Sequence, residues 1–324
     1  MAWRASSSRS MLGSSPARRR IILWVGQGAL LALVAGLVAR AVSRHWQELR
    51  DGAFNLELHA GWIALSVGLL FVTYGLLVAA WRAVIVGWGE RLPYGAAARI
   101  WTVSNLGRYL PGKVWSVAGL AVLAQRQGVA AWAAVGAAIA MQALAVGSGI
   151  AAAAVTVPGT LSGPGLVVAA AVAATTIAAL VMPRVVAFFG RVVGRELRPL
   201  PIGGVALAGA AATLSWVGYG VAFWCLARGT LGATTLGLAP AIGVFAAGYV
   251  TGLLALFAPG GVGVREAVFI ALLAPSVGSS GAIILGVASR LLLTLTEVLA
   301  ALAGLAMGGP RPPTVEGPVA TGGG

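Results

Sequence analysis

The sequence predicts an all-α integral membrane protein with about six full transmembrane helices and two Pro-Gly-broken re-entrant hairpins in an inverted repeat. Three observations carry this. Of 324 residues, 59% are hydrophobic and only 9% are charged, against roughly 25% charged in ordinary soluble domains. Apolar runs of membrane-crossing length recur at 21–39, 61–81, 129–156, 165–182, 203–226 and 281–307. Two further apolar regions, 95–125 and 238–275, are each interrupted, at Pro111-Gly112 and Pro259-Gly260. Such a composition excludes a soluble enzyme, a disordered chain and a disulfide scaffold, because too few charged side chains remain to form a polar skin.

Segment 1–20 carries five Arg and no acid, and reads as a basic cytoplasmic segment. The run that follows it, 21–39, is 19 residues long, longer than a secretory core of about 7–15 residues, and reads as an uncleaved anchor. Residues 21–307 form one polytopic membrane domain. In 40–60, three Arg are balanced by Glu48, Asp51 and Glu57. Segment 82–128 holds five Arg and Lys113 against Glu90, and 183–200 holds Arg184, Arg191, Arg195 and Arg198. With Arg311, 16 of the 22 basic residues fall in segments assigned to the cytoplasm, which puts the N-terminus inside. Trp24, Trp62, Trp81, Trp132 and Trp224 lie near span ends and predict an interfacial belt. Residues 308–324 are Gly- and Pro-rich without periodicity, and read as a disordered tail.

The two broken regions resemble one another at an offset of 148 positions. Tyr109-Leu-Pro-Gly-Lys-Val-Trp-Ser-Val matches Phe257-Ala-Pro-Gly-Gly-Val-Gly-Val-Arg, and Pro93 or Pro240 opens the segment before each. About 12 residues follow each break, some 18 Å of helix, too short for a hydrocarbon core of about 30 Å. Proline with glycine ends one helix and starts another, so each region predicts a hairpin of half-helices. An odd number of crossings between them would insert the hairpins from opposite faces. The alternative lets 95–112 and 238–257 cross, giving about eight full spans.

Charge inside such a domain marks candidate sites. Arg108 and Lys113 flank the first break, where they can hold a phosphate or reach the interface. Arg265 and Glu266 follow the second; Glu266 sits in a first helical turn, where the dipole favours a carboxylate, and Arg265 can pair with it, with Glu297 or with a ligand. Arg290, Thr294 and Glu297 are spaced i, i+4, i+7 on one face, too far apart for a direct Arg290–Glu297 bridge, so each needs another partner. Ala301 and Gly304 continue that face and leave room for a neighbour, and Gly248-xxx-Gly252 is a small-residue packing pattern.

Other chemistry is absent from the pattern. The one cysteine, Cys225, lies in an apolar run, and the two histidines, His45 and His59, cannot form HExxH, so neither a metal site nor a cofactor is expected. Gly107-Arg-Tyr-Leu-Pro-Gly-Lys-Val departs from the phosphate-loop pattern at Val114, and no strand precedes it. The net charge of +14 is dispersed between apolar runs, which disfavours nucleic-acid binding. No acid, His or Cys constellation supports catalysis, and a non-enzyme is expected.

Asn105-Leu-Gly-Arg-Tyr-Leu-Pro-Gly-Lys-Val-Trp115, with Pro259-Gly-Gly-Val-Gly-Val-Arg-Glu266 and Arg290 beyond it, resembles the transmembrane region of bacterial lysylphosphatidylglycerol synthases, which recurs as stand-alone flippase-like proteins without the synthetase domain. The resemblance covers roughly 20–307. In the full-length synthases it implies translocation of aminoacylated phospholipid between leaflets. For this chain it implies a protein of the bacterial plasma membrane, with Arg108, Pro111, Gly112, Lys113, Gly260, Gly261, Gly263, Arg265, Glu266 and Arg290 as functional positions and Asn105 and Pro259 within the motifs. Trp115-Ser116 stands where many relatives carry a glycine–acid pair. Stand-alone relatives are often associated with polyprenyl-phosphate sugar pathways, so the resemblance implies either a phospholipid or an isoprenoid-linked glycan as partner. The residues alone suggest a substrate site of Arg108, Lys113, Arg265, Glu266, Arg290 and Glu297. The other reading is a non-transporting membrane partner of a glycosyltransferase or lipid-modifying enzyme.

Overall fold

The computed structural model describes residues 58–109, 115–157, 202–232, 235–255 and 263–306, with Gly261 and isolated positions between 167 and 191. The chain divides into two units, Met1–Trp46 and Gln47–Gly324, and every described residue belongs to the second. The expected span 21–39, the span 165–182 apart from isolated positions, the segments 1–20 and 308–324, and the residues Pro111, Gly112, Lys113, Pro259 and Gly260 lie outside the described residues.

Seven helices and no strand occur among the described residues. They are α1 (Ala60–Gly87), α2 (Tyr94–Asn105), α3 (Trp115–Gln125), α4 (Ala131–Thr156), α5 (Ile202–Leu231), α6 (Leu238–Leu254) and α7 (Val264–Ala306). A short 3-10 turn, Leu106–Tyr109, continues α2. Four of the helices, α1, α4, α5 and α7, are long and apolar enough to cross a membrane. Their runs are predominantly Ala, Val, Leu, Ile and Gly, and in hydrocarbon a helix satisfies each backbone N–H and C=O within the segment. Helix α7 is two pieces joined at Gly278, whose φ of 73° and ψ of 164° are not helical. This kink falls in the gap expected between 275 and 281, and Pro275 lies one turn before it.

The other three helices are shorter. Helix α2 has 12 residues, α3 has 11 and α6 has 17, or about 18, 16 and 26 Å at 1.5 Å per residue. Described residues on the two sides of each interruption come close together. A Cβ at Gly107 would stand 2.5 Å from the Ser116 nitrogen, and one at Gly261 would stand 2.7 Å from the Gly252 Cα. Only glycine permits either approach, and Gly261 also has a φ of +70°.

Small residues set the packing of the long helices. A side chain at Gly218 of α5 would run into Thr73 of α1, and one at Gly149 of α4 into Val250 and Trp216. The Ser66 hydroxyl donates to the Ala222 carbonyl at 2.6 Å across the α1–α5 seam. The room foreseen beside Gly304 is filled by Thr102 and the Arg99 backbone of α2, and that at Gly248 by Phe269. Trp81 departs from the expected aromatic belt: it is 1% exposed, and its Nε1 donates to the Ala134 carbonyl. Two apolar cores result, one among α1 to α5 and one among α1, α5, α6 and α7.

Candidate functional site

Helix α7 supplies the floor of the site. Its 3.6-residue period puts Arg290, Thr294 and Glu297 on one face, and each end of that face meets a different broken region. At one end Arg108 Nη1 donates to Glu297 Oε1 at 2.9 Å, and the Tyr109 hydroxyl lies 2.8 Å from Glu297 Oε2 and 3.2 Å from the Thr294 hydroxyl. At the other end Arg290 Nη1 donates to Glu266 Oε1 at 2.7 Å. The second Glu266 oxygen accepts the Gly263 N–H at 2.7 Å, so the carboxylate also caps the start of α7. The i, i+7 pair thus takes two outside partners, as its spacing requires: Glu266 for Arg290, and Arg108 for Glu297.

Arg265 pairs with neither carboxylate. Its residue is 8% exposed, and among the described residues no carboxylate lies within salt-bridge distance of it. The guanidinium rests over the rings of Phe245 and Phe269, 4.9 and 5.0 Å from their centroids. Its Nη2 is 3.5 Å from the Ser289 hydroxyl, and its Nε has no hydrogen-bond partner among the described residues. A buried cation with an unmade hydrogen bond is costly, because desolvation is not returned by a counter-ion. Arg228 also has an unpartnered Nε, but it lies against Trp224 and Trp62 near the end of α5, outside the site.

Arg108, Arg265, Arg290 and Glu297 all line one cavity of about 340 Å³. Asn105, Tyr109, Ser116, Gln142, Tyr219, Tyr249, Gly252, Gly261 and Thr294 complete its polar and close-packed wall. Tyr219 and Tyr249 stack against Phe245 with interplanar angles of 13° and 19°. A second cavity of about 250 Å³ shares Asn105, Arg108, Ser116, Gln142, Tyr219 and Tyr249 with the first, but is lined elsewhere by Leu77, Trp81, Trp101, Leu120, Met141 and Trp216. One compartment is charged, and the adjoining one is aromatic and aliphatic.

Six of the expected positions therefore meet around one space: Asn105, Arg108, Gly261, Arg265, Arg290 and Glu297. Glu266 and Gly263 stand behind Arg290. The phenols of Tyr109, Tyr219 and Tyr249 and the hydroxyl of Ser289 were not singled out from sequence. A phenol inside an apolar span is the usable signal, since its O–H needs a partner there. Among the described residues, no three His, Cys, Asp or Glu side chains come together as a metal site requires. No protein-family model matches the chain, and no curated protein matches it.

Proposed function

We propose that this chain is a multi-pass membrane protein that moves a phospholipid or a polyprenyl-phosphate-linked amphiphile between leaflets. The observation that carries this reading is Arg265, a buried guanidinium with no counter-ion among the described residues, which lines a cavity with two further arginines. A phosphate there would pair with Arg265, as Arg–phosphate contacts do. The cavity of about 340 Å³ is of the size that takes a small polar group. The adjoining apolar compartment suits the first carbons of the chain attached to it.

In this reading the regions 95–125 and 238–275 are re-entrant hairpins of an inverted repeat, with the N-terminus cytoplasmic in a bacterial plasma membrane. The shortness of α2 and α3, the kink at Gly278 and the two glycine closures support the hairpins. Glu266 and Glu297 orient Arg290 and Arg108, and exchange of those pairs admits and releases the head group.

Reconstitution with trace fluorescent phosphatidylglycerol, followed by bleaching of the outer leaflet, tests this. Wild-type vesicles should move the probe faster than protein-free ones. Loss of one charged hydrogen bond of about 1.5–3 kcal/mol predicts that Arg265→Met slows it by roughly 10-fold or more. Wild-type vesicles indistinguishable from empty ones would overturn the reading. Co-purification of a glycosyltransferase in that case is the outcome expected of a non-transporting partner.

A further inference from the structure

Glu297 stands where a buried ion pair meets the cavity. It is 7% exposed, yet it lines the cavity and is held through Arg108 Nη1 and the Tyr109 hydroxyl, both from the short turn before the first break. The Tyr109 phenol has one hydrogen and two acceptors in reach, Glu297 Oε2 at 2.8 Å and the Thr294 hydroxyl at 3.2 Å. Donation can pass from one to the other without movement of the backbone. The other charged and titratable groups around Glu297 are Tyr74 from α1, Tyr219 from α5, Tyr249 from α6, and Arg265 and Arg290 from α7. Asn105, Ser116 and Gln142 face the cavity from α2, α3 and α4.

Arg108 and Arg265 line the same cavity, and a phosphodiester has two unesterified oxygens to offer them. A phosphate that takes Arg108 removes the guanidinium on which buried Glu297 depends. A buried carboxylate without its cation is expensive to keep ionised.

We infer that Glu297 couples lipid movement to protons: phosphate replaces it on Arg108, and it takes up one proton as it lets go. This rests on the translocation reading above and names its energy source. The step balances. The Arg108–Glu297 ion pair separates, the guanidinium pairs with the phosphate monoanion, and the carboxylate takes a proton from water to become a carboxylic acid. Its new O–H is placed to donate to the Tyr109 oxygen, whose own hydrogen can turn to Thr294. Site and cargo gain one negative and one positive charge together, so the loaded site carries the same net charge as the empty one. On the far side the phosphate leaves, the proton leaves, and Glu297 returns to Arg108. Movement is therefore driven by a pH gradient and indifferent to voltage.

The test uses the full chain in phosphatidylcholine vesicles with trace fluorescent phosphatidylglycerol, read against protein-free vesicles. With one proton per lipid, a step of one pH unit should enrich the probe about 10-fold in the leaflet facing the alkaline side. A potassium diffusion potential at equal pH should leave the leaflets even. For Glu297→Gln, the leaflet ratio should no longer change with the pH step, whatever its basal rate, and Glu297→Asp should restore the response. Wild type that moves the probe but leaves it evenly distributed under the pH step overturns the coupling while the translocation reading stands. An asymmetry that follows voltage and not pH does the same. No movement above protein-free vesicles overturns both.

Discussion

Arg108 and Arg265 line one cavity, yet replacing them should shift stability by different amounts. Arg108→Met removes the guanidinium that holds Glu297, whose side chain is only 8% exposed, and leaves that carboxylate to Tyr109 alone. Breaking a fully buried pair from one side costs about 3–5 kcal/mol. The Arg108 side chain is 30% exposed, which lowers the expectation to about 2–3 kcal/mol after solvent screening. Arg265→Met instead removes an unmade hydrogen bond, worth about 1–3 kcal/mol in relief. Against this stand two cation–π contacts of about 0.5–2 kcal/mol each, partly replaced by sulfur–aromatic contact with the same two rings. The second variant should lie within about 1 kcal/mol of wild type, on either side. Unfolding in mixed detergent micelles under a rising dodecyl sulfate fraction measures both. A loss for Arg265→Met as large as for Arg108→Met would mean that Arg265 already has a counter-ion, and the argument for an anion in the cavity would fail.

Two further measurements address the fold around the breaks. Gly261 and Gly263 have φ of +70° and +84°, so alanine at either position pays about 1–2 kcal/mol of left-handed strain. At Gly261 the new Cβ also meets the Gly252 Cα at 2.7 Å, whereas at Gly263 nothing lies within 4 Å. Gly261→Ala should be the less stable by a further 1–3 kcal/mol or so, and equal thermal unfolding of the two would deny the close approach. Cys225 is 1% exposed and should resist maleimide until the protein unfolds, and Cys225→Ala gives a clean background. On it, Gly112→Cys and Gly260→Cys should label from opposite faces of sealed vesicles, and labelling from one face would refute inverted hairpins.

The long helices were legible because hydropathy over some 20 residues is a strong signal and needs no partner. Spans read at 61–81, 129–156 and 203–226 recur as α1, α4 and α5. Their ends were less so: α1 runs on to Gly87 and α5 to Leu231, since Arg82 and Arg228 end an apolar window without ending a helix. The Arg290–Thr294–Glu297 face followed from helical spacing, and Glu266 was foreseen as a partner on it. Arg108 with Glu297 was not. The two are 189 positions apart, and nothing in a single sequence ranks Arg108 above Arg265 for that carboxylate. Trp81 departs from the belt because helical register, not nearness to a span end, decides its place. Leu70, Tyr74, Val78, Trp81 and Ile85 recur every three or four residues, and all are buried.

The i, i+7 spacing on α7 has a mechanical consequence. Glu297 is tied to the turn before the first break, and Arg290 is tied to the residue that caps the helix after the second. The two ties are separated by seven residues of uninterrupted helix, about 10 Å, and helix over that length is stiff compared with the turns it joins. In the proposed cycle, a phosphate that displaces one tie would act on a lever whose other end holds the second broken region. Coupling between the two regions does not need them to touch, only that α7 beyond Gly278 move as one piece. The kink at Gly278 separates that piece from the segment bearing Arg265 and Glu266. Substitutions that stiffen position 278 should consequently alter transport without touching any cavity residue, which is where a hinge differs from a binding group.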